Sequence, residues 1–263
     1  MTNTELAGKE HWDSIYNRCG SGIQPGWEPR HYHEKCRERM ILGTVDRHHP
    51  RTVLEVGCGD SPWLPYLAKW RQVSVAGLDY SEQGCELARN RLQIENIRGS
   101  VYCADLFSAD PGEIGQYDLV YSLGVVEHFT DLGNVIGHLL KFVNPGGVLL
   151  TEIPNLVSIH GFLSWVYQPA QLAKHKLIRK NELEDAYRSH SLVNISTAYV
   201  GTFSLGIVAW GLNQRFPKAD MFLLLPVRIL RKLTDLTMLR LNAYRGCSFL
   251  SPFLCASGVK PLG

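Results

Sequence analysis

The stretch VLEVGCGDSPW, residues 53–63, runs from a β-branched apolar segment into two glycines and then to a proline. Such a run reads as a buried strand entering a tight turn, and prolines just beyond it fix a helix opening, where their missing N–H costs nothing. Residues 52–57 are therefore expected as a first strand and 63–71 as the helix after it, with Pro62 and Pro65 in its opening turn. The alternation repeats outward. Strands are expected at 73–79, 100–105, 117–124 and 147–154, and helices near 82–95 and 132–143. Ser81 and Asp131 stand at N-cap positions, and NPGG (144–147) ends the third helix. Strands alternating with helices give a mostly parallel sheet covered on both faces.

Upstream, residues 31–45 place Cys36, Met40, Ile41 and Val45 near one helical face, expected to pack on the sheet edge. Downstream, 180–190 reads as a helix, and 196–208 and 253–260 read as late strands with an insertion between them. The 263 residues suit one α/β domain. Lys and Arg number 27 against 25 Asp and Glu, a net charge of +2 with no run of one sign, which speaks against nucleic acid as a partner. Seven scattered cysteines without CxxC spacing point to reduced thiols in the cytoplasm. The N-terminus lacks the pattern of a secretory signal, and no apolar run is long enough to span a bilayer.

The turn Gly57-Cys58-Gly59-Asp60-Ser61-Pro62 lacks the third glycine of a dinucleotide fingerprint. Glu55 and Asp60 beside it would repel a pyrophosphate. They would attract S-adenosylmethionine, which has no phosphate and carries an ammonium and a sulfonium. Asp79 closes the second strand in GLDYS, where a carboxylate can accept both ribose hydroxyls. Tyr80 can lie against an adenine face. Asp105 ends the third strand in ADLF, placed to accept from the adenine amine, while Leu106 offers a backbone N–H. All of these fall at carboxyl ends of strands, where open α/β sheets bind ligands.

VLEVGCG, GLDYS, ADLF, YDLVYSLGVVEHF and LKFVNPGGVLLTEIPN, in this order over about residues 50–155, resemble the sequential motifs of class I S-adenosylmethionine-dependent methyltransferases. The resemblance implies a Rossmann-like seven-stranded, mostly parallel sheet with an antiparallel last strand and helices on both faces. It implies a cofactor site of Glu55, Gly57, Cys58, Gly59, Asp79, Tyr80, Asp105, Leu106, Ser122 and Leu123. EHWDSIYN (10–17) is similar to the N-terminal segment of the ubiquinone-biosynthesis-type and sugar methyltransferases, which folds over the cofactor, so Trp12 and Tyr16 are expected in a lid. The chain then divides into a lid and helical segment (1–47), a cofactor core (50–155), an acceptor-pocket segment (156–195) and a helical insertion (206–250).

The expected reaction is methyl transfer by in-line displacement to a small-molecule acceptor, a sugar, quinone-like or specialised metabolite, with a hydroxyl oxygen the favoured atom and S-adenosylhomocysteine the product. The alternative is transfer to nitrogen or carbon, or a non-catalytic relative that only binds the cofactor. His128, just after the fourth strand, is the candidate general base. His160, Trp165 and His175 lie where the family builds acceptor pockets and are the candidate substrate residues. The spacing of His128, His160 and His175 matches no ligand pattern, and no metal is expected. The segment 221–241 is basic and amphipathic: a packed lid or dimer helix, or a peripheral membrane contact. A monomer and a homodimer both remain open.

Overall fold

The computed structural model describes residues 5–19, 25–205 and 221–262. Seven strands form one sheet: β1 (Thr52–Val56), β2 (Ser74–Asp79), β3 (Gly99–Cys103), β4 (Tyr117–Leu123), β5 (Val143–Pro154), β6 (Val193–Val200) and β7 (Phe253–Val259). Their order is β3-β2-β1-β4-β5-β7-β6. β2, β1, β4 and β5 pair in parallel, and β7 runs antiparallel to both of its neighbours. This is the seven-stranded sheet with a reversed last strand that the motifs imply.

Alternation along the strands divides the core. Leu54, Val56, Ala76, Leu78, Val120 and Leu149 face one layer, closed by α5 (Leu132–Leu140) and α7 (Lys180–Ser189). Val53, Val75, Leu119, Tyr121, Val148 and Leu150 face the other, closed by α2 (Tyr32–His48), α3 (Trp63–Arg71) and α4 (Glu82–Ile94). A strand buried on both faces has no polar side, which is why these segments read as near-continuous apolar runs.

α2 corrects one expectation. Ile41 and Val45 pack among the strands of the second layer, so the helix lies on the sheet face and not at its edge. Arg37 on its next turn reaches the fully buried Glu152 of β5, with Nη2 3.1 Å from the carboxylate. The third expected helix also stops early, at Leu140, because Val143 already pairs with Tyr117 and NPGG sits within an irregular β5.

The local signals at the other helix ends hold in detail. Ser81 accepts from the N–H of Gly84 and Asp131 from that of Asn134. Pro62 and Pro65 flank the start of α3. α1 (Lys9–Cys19) covers the segment expected as a lid, and α6 (Ile159–Tyr167) follows β5, its N-cap Ser158 accepting from His160. Between β6 and β7 lies α8 (Met221–Arg240); residues 206–220 of the expected insertion fall outside the described residues.

Candidate cofactor and acceptor site

β1 has β2 on one side and β4 on the other, so the connections leaving its carboxyl end diverge and open a crevice. A cavity of about 440 Å³ lies there. The glycine turn forms its floor. Gly57 has φ +75°, a left-handed conformation, and a Cβ on it would meet Val125 Cγ2 at 2.5 Å. The N–H of Gly57 donates to Leu78 O at 2.7 Å, and that of Gly59 donates to Asp79 Oδ2 at 2.8 Å. Asp79 Oδ1 takes the N–H of Ser81, also at 2.8 Å. The end of β2 thus fixes the turn after β1. Burial raises the Asp79 pKa, and the N–H groups of Ser81, Gly59 and Tyr80 and the Tyr16 hydroxyl pull it back.

Gly57, Asp79, Tyr80, Asp105, Leu106, Leu123, Trp12, Tyr16 and His128 all line the cavity. Trp12 and Tyr16 stack at 6.4 Å on α1, and Trp12 stands edge-on to His128 at 5.0 Å. The Tyr16 ring closes over the turn so tightly that a Cβ on Gly59 would fall 2.1 Å from its hydroxyl. Sequence reasoning passed over Phe107 and Phe129, which meet edge to face at 5.0 Å in the wall. Both sit inside quoted motifs, ADLF and VVEHF, so their signal was on the page. Glu5, hydrogen-bonded by the Tyr80 hydroxyl, belongs to no motif and gave none.

Four expected cofactor residues stand behind the wall. Glu55 is buried, takes the Tyr121 hydroxyl at 2.8 Å, and has its pKa pushed up to about 8 by burial. Hydrogen bonds from Ser61 and Tyr121 oppose that rise, and the balance favours the protonated acid. Asp60 is ion-paired with Arg91 of α4, Nη2 to Oδ1 2.5 Å. Cys58 packs inward against Gly77 and Leu64, and Gly59 contributes its N–H without facing the cavity. Ser122 is fully buried and its hydroxyl has no partner.

The histidines separate. His128 Nδ1 lies 2.8 Å from Lys174 O, and a carbonyl only accepts, so Nδ1 carries the proton and Nε2 is the acceptor. Burial, then the neighbouring His175, lower the His128 pKa to about 3, which favours the neutral imidazole. His175 packs on it with ring centroids 4.5 Å apart, its own Nδ1 held by Gln171 O. Glu127, His128 and His175 offer ligand atoms within 4.8 Å of one another, a spacing that one divalent ion can bridge and that the sequence did not suggest. His160 is elsewhere: Nε2 donates to Leu250 O and the ring stacks on Phe203. Trp165 is 63% exposed on α6. The residues lining the cavity do not include His160, His175 or Trp165.

A family model described as a methyltransferase domain matches residues 29–197, and the chain belongs to that family. It is 29% identical over 137 residues to the trans-aconitate 2-methyltransferase of Azoarcus sp. (strain BH72), covering 49% of this chain and 51% of that protein. It is 29% identical over 123 residues to a ubiquinone biosynthesis O-methyltransferase of Neisseria meningitidis, covering 44% and 50%. The chain thus spans about half the length of the curated relatives it matches. The fold is shared with the plantazolicin methyltransferase BpumL in complex with SAH, at 18% identity, a TM-score of 0.58 and coverage of 97% and 95%. It is shared also with a Haemonchus contortus phosphoethanolamine N-methyltransferase in complex with S-adenosylhomocysteine, at 15% identity, a TM-score of 0.57 and coverage of 96% and 57%.

Proposed function

We propose that this chain is an S-adenosylmethionine-dependent methyltransferase acting on a small-molecule acceptor, with a hydroxyl oxygen as the acceptor atom. The observation that carries the reading is Asp79, which holds the glycine turn by one oxygen and faces the cavity at the head of the crevice. A carboxylate offers about four acceptor sites, so one that gives up the Tyr16 hydroxyl has room for a ribose hydroxyl. The apolar wall of Leu78, Leu106 and Phe107 suits a purine ring, Tyr80 and Asp105 stand beside it, and the turn is too narrow for any side chain at Gly57.

S-adenosylmethionine, when bound, supplies a methyl group on a sulfonium centre open to in-line displacement. The chain's own residues bind, align and dry the reactants. Asp79 holds the ribose and Asp105 the adenine amine, and α1 closes Trp12 and Tyr16 over them. His128 accepts a hydrogen bond from the acceptor hydroxyl through Nε2, orienting a lone pair and giving the proton released on methyl transfer a path to solvent. With so good a leaving group, alignment in a water-poor site accounts for most of the acceleration.

A relative named for ubiquinone biosynthesis O-methylation supports an oxygen acceptor, and the free cysteines among the described residues support a reducing, cytoplasmic setting. Incubation with methyl-labelled cofactor and a panel of hydroxylated, carboxylated and amino metabolites, read by mass, tests the reading. Transfer only to nitrogen or carbon would refute the oxygen assignment, and binding of NAD without S-adenosylhomocysteine would refute the enzyme class.

A further inference from the structure

α8 is built inside out. Its inward side is polar: Asp235 is buried and its carboxylate lies 3.3 Å from His31 Nδ1, at the head of α2. Its outward side is apolar. Leu225, Ile229, Leu233 and Leu236 fall within one arc at helical spacing, each between 41% and 56% exposed, with Leu230 and Leu241 flanking them. A helix resting on its own core would show the reverse, so an apolar face turned outward marks a docking surface.

Charge identifies the occupant. Arg240 is exposed along this face and Lys232 and Arg228 are exposed at its border, while Asp235, the one acidic side chain in the sequence from 221 to 263, is buried on the side turned to α2. The segment after α8 carries the exposed Phe249, whose carbonyl takes the N–H of Ile159 at the head of α6. α6 exposes Phe162, Trp165 and Val166, and no Asp or Glu occurs between Ile153 and Asn181. Two copies of so basic a face would repel each other. Among the described residues no helix is long and apolar enough to cross a membrane.

We propose that α8 lies on an anionic lipid surface, its leucine face entering the headgroup boundary while Arg228, Lys232 and Arg240 meet the phosphates. The contact places exposed Trp165 where amphipathic rings favour the membrane–water interface.

Co-sedimentation of the full chain with vesicles tests this, using phosphatidylcholine alone and an equal mixture of phosphatidylcholine and phosphatidylglycerol. The chain should partition onto the mixed vesicles and not the neutral ones. Arg228→Gln and Lys232→Gln should each weaken partitioning by about fivefold, the worth of one base near an anionic surface. Leu233→Gln with Leu236→Gln should weaken it by about tenfold or more. Affinity for S-adenosylhomocysteine, unchanged in all of these, reports that the fold is intact and separates this proposal from the catalytic one. Failure to sediment with either vesicle, equal binding to both, or a homodimer that buries the leucines in solution would overturn it.

Discussion

Asp79 and Gly59 are bound to each other across the crevice, the carboxylate of one receiving the backbone N–H of the other at 2.8 Å. The residue that positions the turn is therefore the one proposed to hold the ribose. Asp79→Ala should weaken S-adenosylhomocysteine binding by roughly 1.5–3 kcal/mol, the worth of hydrogen bonds to a charged group. Calorimetry decides it, and an unchanged affinity removes Asp79 from the site.

Tyr16 donates to the same carboxylate and lies over the same turn. If ribose hydroxyls take its place on Asp79, Tyr16→Phe relieves a competitor and tightens binding by about 1 kcal/mol. Weaker binding by the phenylalanine variant would mean that the hydroxyl itself touches the ligand.

At Gly57 the backbone and the packing both demand glycine. Gly57→Ala should cost roughly 1–2 kcal/mol in left-handed strain, and a further steric share from the 2.5 Å approach to Val125 Cγ2. Val125→Ala in that background should return the steric share alone. Urea denaturation of the four proteins gives the coupling, and strict additivity would show that the two residues do not touch.

Glu55 gives the molecule a pH signature. Burial raises its pKa in the folded state to about 8 from 4.5. Folding therefore favours the protonated acid: the contribution is complete below about 4.5 and is lost as pH rises through 8. Glu127, also raised by burial to about 8, adds a second such group. The histidines whose pKa burial lowers, His128 among them, act in the opposite sense below about 6.5. The fall should therefore be read between about pH 6.5 and 8, where Glu55→Gln should remove part of the slope in urea melts. An unaltered slope would place a charged Glu55 in the core.

His128 titrates near 3, so the rate should show no inflection from it near 6.5. His128→Asn keeps an acceptor beside the substrate and should raise KM roughly two- to tenfold, the worth of one neutral hydrogen bond. A fall in kcat of about a hundredfold or more would restore the base, whose loss costs that much.

The strands and the turn were legible because they are local: β-branched runs, two glycines and a pair of prolines write their geometry into neighbouring residues. Ser81, Asp131 and Asp79 were legible for the same reason. Charge state was not. Glu55 sits at the expected position, but its neutrality comes from burial beside Tyr121, contributed by another strand. Asp60 is likewise answered by Arg91 from α4, thirty-one residues away. The orientation of the histidines was not legible either, because Lys174 O and Leu250 O, which hold His128 and His160, are distant in sequence. α8 was amphipathic on paper, yet which side looked outward depended on His31 awaiting Asp235.

The reversed strand has a consequence for how the chain is assembled. Among the described residues β6 pairs with the sheet only through β7, which wedges between it and β5. During synthesis β6 leaves the ribosome with no seat, and everything from Gly201 to Pro252 must follow before one exists. The ligand-binding half can settle early, whereas closure of the far edge waits on a late insertion, leaving a nascent molecule with one open flank for chaperones or proteases to find.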